Sequence, residues 1–417
     1  MRKKLKIYIY GLLGNIFDHY ELALYSLLIP VFSSLFFTGD NQVTSYVKSY
    51  SFFFLFLFSR LLGAKYFGKL GDRKGISYAL SYTLFGMASV SALIGVLPTA
   101  EAIGGTAFWF LFILLMIQNF FASGEKIGGV LYLLENGSSK QGQITSSVYE
   151  ISSILGYILA TLFVTLLGDS LKDYWRYLYF FSAFGAFVGF LIRKNVISIN
   201  HNQADFKEEN NSLGDYKSLL SVIFITCFSY ALYYNVMTLM NSWIPLITAI
   251  TYKEVLDMNI YLLILDMHLL LVGGYLSYKY GSEKIMKIAI YLNLLLLVPL
   301  FYMLQSSSLY VVFIVRACLV GIAVLFSSPC YYYSYKKTKK KNRFQTIAIA
   351  NVIGAHLGKA APMMTYIIYQ KTQLIISPAL PILMFGVVAL FFLRKISNRT
   401  VLDTQPSLEK DHVRALH

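Results

Sequence analysis

Apolar residues run through this chain in long blocks separated by short polar breaks. A helix rising 1.5 Å per residue needs roughly twenty apolar residues to cross the hydrocarbon layer of a bilayer. Twelve blocks meet that length: 7–36, 46–66, 77–97, 107–134, 144–167, 174–193, 218–249, 259–280, 285–304, 309–333, 344–370 and 374–394. The pattern predicts an all-α membrane protein of twelve transmembrane helices, several of them long enough to tilt or to extend into loops. Residues 194–217 form the one long polar stretch between blocks and carry Asp205, Lys207, Glu208 and Glu209. They divide the helices six and six and read as a linker between an N-terminal half, 1–193, and a C-terminal half, 218–396. The remainder, 397–417, reads as a polar tail.

Composition agrees. Of 417 residues, 57% are hydrophobic and 14% charged, against roughly 25% charged in a soluble domain. The formal charge of +15 invites a nucleic-acid reading, but the bases are not clustered on a folded face. They fall in short runs between apolar blocks, as in Arg2-Lys3-Lys4, Arg73-Lys74, Arg193-Lys194 and Lys336 to Arg343. With both termini placed in the cytoplasm, 27 of the 36 Lys and Arg lie on that side and five outside (Lys48, Lys172, Arg176, Lys253 and Lys371). Four, Arg60, Lys126, Arg316 and Lys359, fall within spans. Basic loops stay inside, so this asymmetry sets the expected orientation in a cell membrane. The basic, apolar start is read as a retained first helix, because it carries Asp18 and Glu21 and no small-residue cleavage site follows. Cys227, Cys318 and Cys330 form no CxxC pair and predict neither a disulfide nor a metal site.

The loop after the second block reads Gly68-Lys69-Leu70-Gly71-Asp72-Arg73-Lys74-Gly75. The loop after the eighth reads Gly274-Tyr275-Leu276-Ser277-Tyr278-Lys279-Tyr280-Gly281, beginning 206 residues later. Glycine, leucine, a basic residue and glycine recur at the same offsets, about half a chain apart. Repeated halves are a mark of secondary transporters. The glycines allow a tight turn and close approach, while Asp72 and Arg73 are placed to pair with neighbouring helix ends and hold one conformation. The plainer alternative is a basic loop with turn glycines.

Gly68 to Gly75 resembles the signature loop of the major facilitator superfamily, and within it the chain resembles the metabolite:proton symporter family. The first helix, Gly14-Asn15-Ile16-Phe17-Asp18-His19-Tyr20-Glu21 with Tyr25, is similar to that family's opening with the two acids exchanged. Arg60 and Gly63 follow its second helix. Gln118, Gly124-Glu125, Gly128 and Glu135 look like its fourth, Glu150 with Gly156 like its fifth, and Trp175-Arg176 with Gly185 and Gly189 like its sixth. Departures are Ile76-Ser77 after the loop, Leu115 where the family often has Arg, and Tyr278 where the second loop often has Asp. The resemblance implies the major facilitator fold and transport of a proline, betaine or organic-acid type of solute with protons.

Ionisable groups inside a span are costly and mark function or pairing. The acids are Asp18, Glu21, Glu125, Glu150 and Asp266. The bases are Arg60, Lys126, Arg316 and Lys359, and His268 and His356 also titrate. Asn15, Asp18, Glu21 and Tyr25 share about 120° of one helical face, which should line an aqueous cavity rather than face lipid. Asp18, Glu21, Glu125 and Glu150 are the candidates for proton coupling or substrate binding. The alternative is structural ion pairing, with Arg60 or Lys126 for the first two. Glu125 and Lys126 point about 100° apart, so each needs a partner on another helix. Gln118, Tyr234, Asn235, Arg60, Lys126 and Lys359 join the cavity candidates. The seventh block holds Tyr230, Tyr233, Tyr234, Asn235, Asn241 and Trp243, able either to grip a zwitterion with cation–π contact to a quaternary amine or simply to pack.

The reading is a secondary active transporter, a proton-coupled symporter of a small polar metabolite (zwitterionic osmolyte, amino acid or organic acid) working by alternating access. It acts as a monomer and requires no cofactor or nucleic acid. An uncoupled facilitator or exchanger, or a non-transporting sensor of the same fold, are the competing readings. No P-loop, HExxH or GxSxG motif supports an enzyme.

Overall fold

The computed structural model describes residues 2–36, 42–136, 141–197, 216–306 and 308–400. Among them the twelve expected spans are all helices. The first six are α1 (Arg2–Phe36), α2 (Gln42–Lys74), α3 (Ile76–Val96), α4 (Thr106–Asn136), α5 (Gly142–Leu167) and α6 (Leu171–Ile197). Then follow α7 (Tyr216–Ile247), α8 (Tyr252–Tyr280), α9 (Ser282–Met303) and α10 (Leu309–Lys337). Last come α11, in two pieces (Arg343–Lys359 and Ala361–Thr372), and α12 (Ala379–Thr400). Most of the expected linker, 198–215, and the tail from 401 lie outside the described residues.

By length and composition α3 to α10 are each able to cross a membrane. The break of α11 after Lys359 leaves two pieces of 17 and 12 residues. The outer surface carries large apolar side chains such as Leu166, Phe184, Leu295 and Tyr310, each more than two-thirds exposed. Such a surface belongs in lipid.

The two halves repeat one another. In the first, α1 packs on α5, α2 on α4 and α3 on α6; in the second, α7 packs on α11, α8 on α10 and α9 on α12. Glycines set both tight crossings. A Cβ on Gly156 of α5 would lie 2.3 Å from the Ile16 carbonyl oxygen of α1. On α11, Gly354 and Gly358 are one turn apart, and their Cβ atoms would lie 2.4 and 2.3 Å from the Ile223 and Cys227 carbonyls of α7. Small residues at this spacing let helix backbones meet.

Each half has its own apolar core, around Phe32, Val90, Leu111 and Trp175 in one and Phe228, Leu297, Val315 and Phe326 in the other. A third cluster joins them: Ala64, Leu131 and Tyr149 of the first half against Tyr331, Phe344 and Ile347 of the second. It lies at the end that carries the α2–α3 and α10–α11 loops, called the basic end below. There the halves touch along α2–α11 and α5–α8. Gly68 abuts the Gln345 backbone, Gly274 abuts Ser147, and Gly142 abuts the Tyr332 ring. The molecule is therefore closed at its basic end.

Candidate functional site

Between the halves lies a cavity with about 1090 Å³ of empty space, open solvent included. Helices from both halves wall it. The first half contributes Asp18, Arg60, Lys126, Glu150 and Tyr157; the second contributes Tyr230, Tyr233, Tyr234, Asp266, His356 and Lys359. Thus Asp18, Glu150, Arg60, Lys126, Tyr234 and Lys359, far apart in sequence, come to one space.

Among the described residues the arginine has a carboxylate within ion-pair distance there and the lysines do not. Arg60 donates from Nε to Asn119 Oδ1 at 2.7 Å and lies 3.7 Å from Asp18. Lys126 donates to the Tyr230 hydroxyl and stands over its ring at 4.9 Å. Lys359 sits 5.1 Å from the Tyr234 ring centroid and 5.7 Å from that of Tyr230. One oxygen of Asp266, itself buried, has no hydrogen-bond partner.

Glu21 occupies a narrower pocket beside this cavity, shared with Asp18, Tyr25, Arg60 and Gln118. It is 5% exposed and its partners are neutral. Ser91 donates to Oε1, Ser182 donates to Oε1 at 2.5 Å, and Gln118 donates to Oε2 at 2.7 Å. No ion pair to Glu21 forms among the described residues.

Glu125 lies elsewhere. It is fully buried under Gly14 and held by Arg193 of α6 through two hydrogen bonds of 2.7 and 2.8 Å, with Thr83 donating a third at 2.8 Å. Arg193 is completed by the carbonyls of Tyr10 and Leu80. The pair binds α1, α3, α4 and α6 together outside the cavity wall. Asn15 is likewise turned into helix packing, donating to Tyr149 O, Ser152 and Ser153 of α5. Asn235 is buried in a π-helical turn, 235–239, and donates to Ala231 O.

At the basic end Asp72 reaches across the halves. Its carboxylate accepts the backbone N–H groups of Phe344 and Gln345, each at 2.9 Å, at the first turn of α11. A helix N-terminus favours a negative charge. Gly71 makes room for the Phe344 ring, and Gly75 takes φ +94 in the turn to α3; Arg73 is exposed. Asp72 lies beyond the apolar span of α2. Burial is the main influence on its carboxyl and pushes it up from the ordinary 3.8 to about 6, against the pull of the two N–H groups.

Sequence reasoning missed two arginines. Arg193 sits at a span end in a basic pair and reads as a loop charge; nothing local to it marks it as a core residue. Arg316 lies inside an expected span, where its sequence context gives it no role. It is fully buried and donates to the Val236 and Val255 carbonyls and to Asn241 and Asn259, so it stitches α7, α8 and α10. Among the described residues no group of three His, Cys, Asp or Glu is placed to hold a metal.

Residues 14–363 match the model of the Major Facilitator Superfamily. The chain belongs to that superfamily. An ectoine/proline transporter of Corynebacterium glutamicum is 25% identical, with 98% of this chain and 87% of that one covered. A proline/betaine transporter of Escherichia coli is 22% identical over 95% and 84%. The proton:xylose symporter XylE shares the fold at 13% identity, with a TM-score of 0.71 and 95% of each chain covered. This major facilitator is thus a multi-pass membrane transporter of a small solute, not an enzyme.

Proposed function

We propose that this transporter is a proton-coupled symporter of a small polar metabolite, a zwitterionic osmolyte, amino acid or organic acid. The observation that carries the reading is Glu21: a buried carboxyl one helical turn from Asp18, beside the cavity, with neutral hydrogen-bond donors and, among the described residues, no base within ion-pair distance. Without a counter-charge a buried carboxyl favours its protonated form, and two nearby acids resist ionising together. Asp18 opens on the cavity, so solute arriving there changes the field at both acids and links proton release to the transport cycle. The solutes for which the relatives are named, ectoine, proline and betaine, support the solute class.

The halves rock about the cavity. The described state, closed at the basic end, is then the one open to the outside of a plasma or inner membrane. The basic loops support cytoplasmic termini, with residues 194–217 as the cytoplasmic linker between halves and the monomer as the working unit. The Arg60–Asp18 contact favours one rival, a facilitator or exchanger whose acids are structural. Proteoliposomes loaded at high pH and diluted into low pH separate the two. Proton symport predicts accumulation of proline, betaine or a related solute that collapses with a protonophore. Equilibration alone, unaffected by the gradient, would establish the facilitator.

A further inference from the structure

Two ammonium groups from opposite halves meet on one tyrosine. Lys126 of α4 and Lys359 of α11 both stand over the ring of Tyr230 on α7, at 4.9 and 5.7 Å from its centroid. An ammonium carries three donors. Among the described residues Lys126 hydrogen-bonds only the Tyr230 hydroxyl, Lys359 hydrogen-bonds no acceptor, and neither has a carboxylate within ion-pair distance. Arg60 in the same cavity does have its acid. Two like charges on one ring repel, and away from bulk water that repulsion is poorly screened. Ring faces offset only part of it.

We infer that Lys126 and Lys359 are the docking point for a carboxylate of the transported solute. The anionic end of the ligand, not a cationic one, therefore faces the tyrosines of α7. This rests on the reading of the protein as a solute symporter and specifies how its ligand lies. It sets aside the alternative in which Tyr230 and Tyr234 grip a quaternary amine, since lysines already occupy those rings. A single negative charge suits the pair. Glu150 and Asp266 line the same cavity from α5 and α8 and oppose a more highly charged anion such as phosphate. One lysine comes from each half, so a carboxylate held by both bridges the halves and favours the state in which they close around it.

The test is thermal protection of the purified full-length protein by four monocarboxylates (L-proline, glycine betaine, L-lactate and butyrate) against L-prolinamide, choline and inorganic phosphate. At least one carboxylate should raise the melting temperature, while prolinamide, choline and phosphate should not. Lys126→Gln and Lys359→Gln should each weaken that protection about tenfold or more. Lys359→Arg, which keeps the charge, should restore part of it and shows that the site is folded. Protection by choline or prolinamide equal to that by the carboxylates overturns the inference. So does the absence of protection by all four carboxylates, or unchanged affinity in both glutamine variants. Uptake driven by a pH gradient is measured in parallel. Uptake that survives both glutamine variants refutes the carboxylate site and leaves the symport reading intact. Carboxylate protection without gradient-driven uptake does the reverse.

Discussion

Glu21 and Glu125 are both in the first half, both at most 5% exposed, and each accepts three hydrogen bonds. Their company differs. Glu125 faces a guanidinium that grips both its oxygens; Glu21 faces two serines and a glutamine amide. A buried carboxylate with its charge cancelled has no reason to take a proton, and removing its partner strands a charge. A buried carboxyl with neutral donors can exchange a proton while its neighbours merely reorient. The first arrangement suits a fastener between helices and the second a proton site. Both are glutamates in apolar helices, so the contrast lies in what the fold brings to them.

The largest expected effect breaks the fastener. Arg193→Ala leaves Glu125 buried and unpaired, at a cost of about 3–5 kcal/mol. A sharp loss of melting temperature and membrane yield is expected, whereas Glu21→Gln should leave both near wild type. Equal destabilisation by the two variants would erase the distinction. Gly14→Ala attacks the same pair from α1, because its Cβ would fall 1.7 Å from Glu125 Oε1. Overpacking of this kind costs about 1–3 kcal/mol, and a denaturation midpoint unchanged from wild type would show that Glu125 is free to move.

Asp72 extends the comparison to a third carboxylate, one held only by backbone N–H groups. Asp72→Ala leaves two donors of α11 without that partner, worth about 1–2 kcal/mol to the closed basic end. Cysteine placed at Ser147, which Gly274 covers, should then react faster with a thiol reagent. The smallest effect is on pH. A carboxyl raised from 3.8 to about 6 in the closed state binds its proton more tightly there than in water. Its contribution to closure is therefore fully present below the ordinary value and is lost as pH rises through about 6. Labelling at Ser147→Cys, divided by the thiolate fraction at each pH, should rise over that window and be flat in the Asp72→Ala background.

The twelve spans were readable because lipid imposes a length and an apolarity on every crossing helix. The α2–α3 loop was readable because glycine at 68 and 71 and acid at 72 are costly unless a second element comes close. The cavity was readable in part. Asp18, Arg60, Lys126, Glu150, Tyr234 and Lys359 are polar groups in apolar spans and so announce themselves. Partner identity was not readable. Arg193 is 68 residues from Glu125, and its position at a span end disguises it as an ordinary inside charge. Asn15 shares the helical face of Asp18 yet is turned toward α5, because Gly156 brings that helix against α1. Such choices depend on which helices cross, and one helix's pattern carries no record of it.

On the proposed reading Glu21, together with Asp18, carries the coupled proton. Glu21→Gln, Asp18→Asn and the double variant, reconstituted in proteoliposomes, test it by comparing two modes of transport. Accumulation of solute against its gradient, driven by an imposed pH difference, should be lost in at least one single variant and in the double. Exchange of labelled for unlabelled solute should persist in the same preparation. Undiminished accumulation in all three would contradict the account and move the proton site to another carboxyl, with Glu150 of the cavity wall first in line.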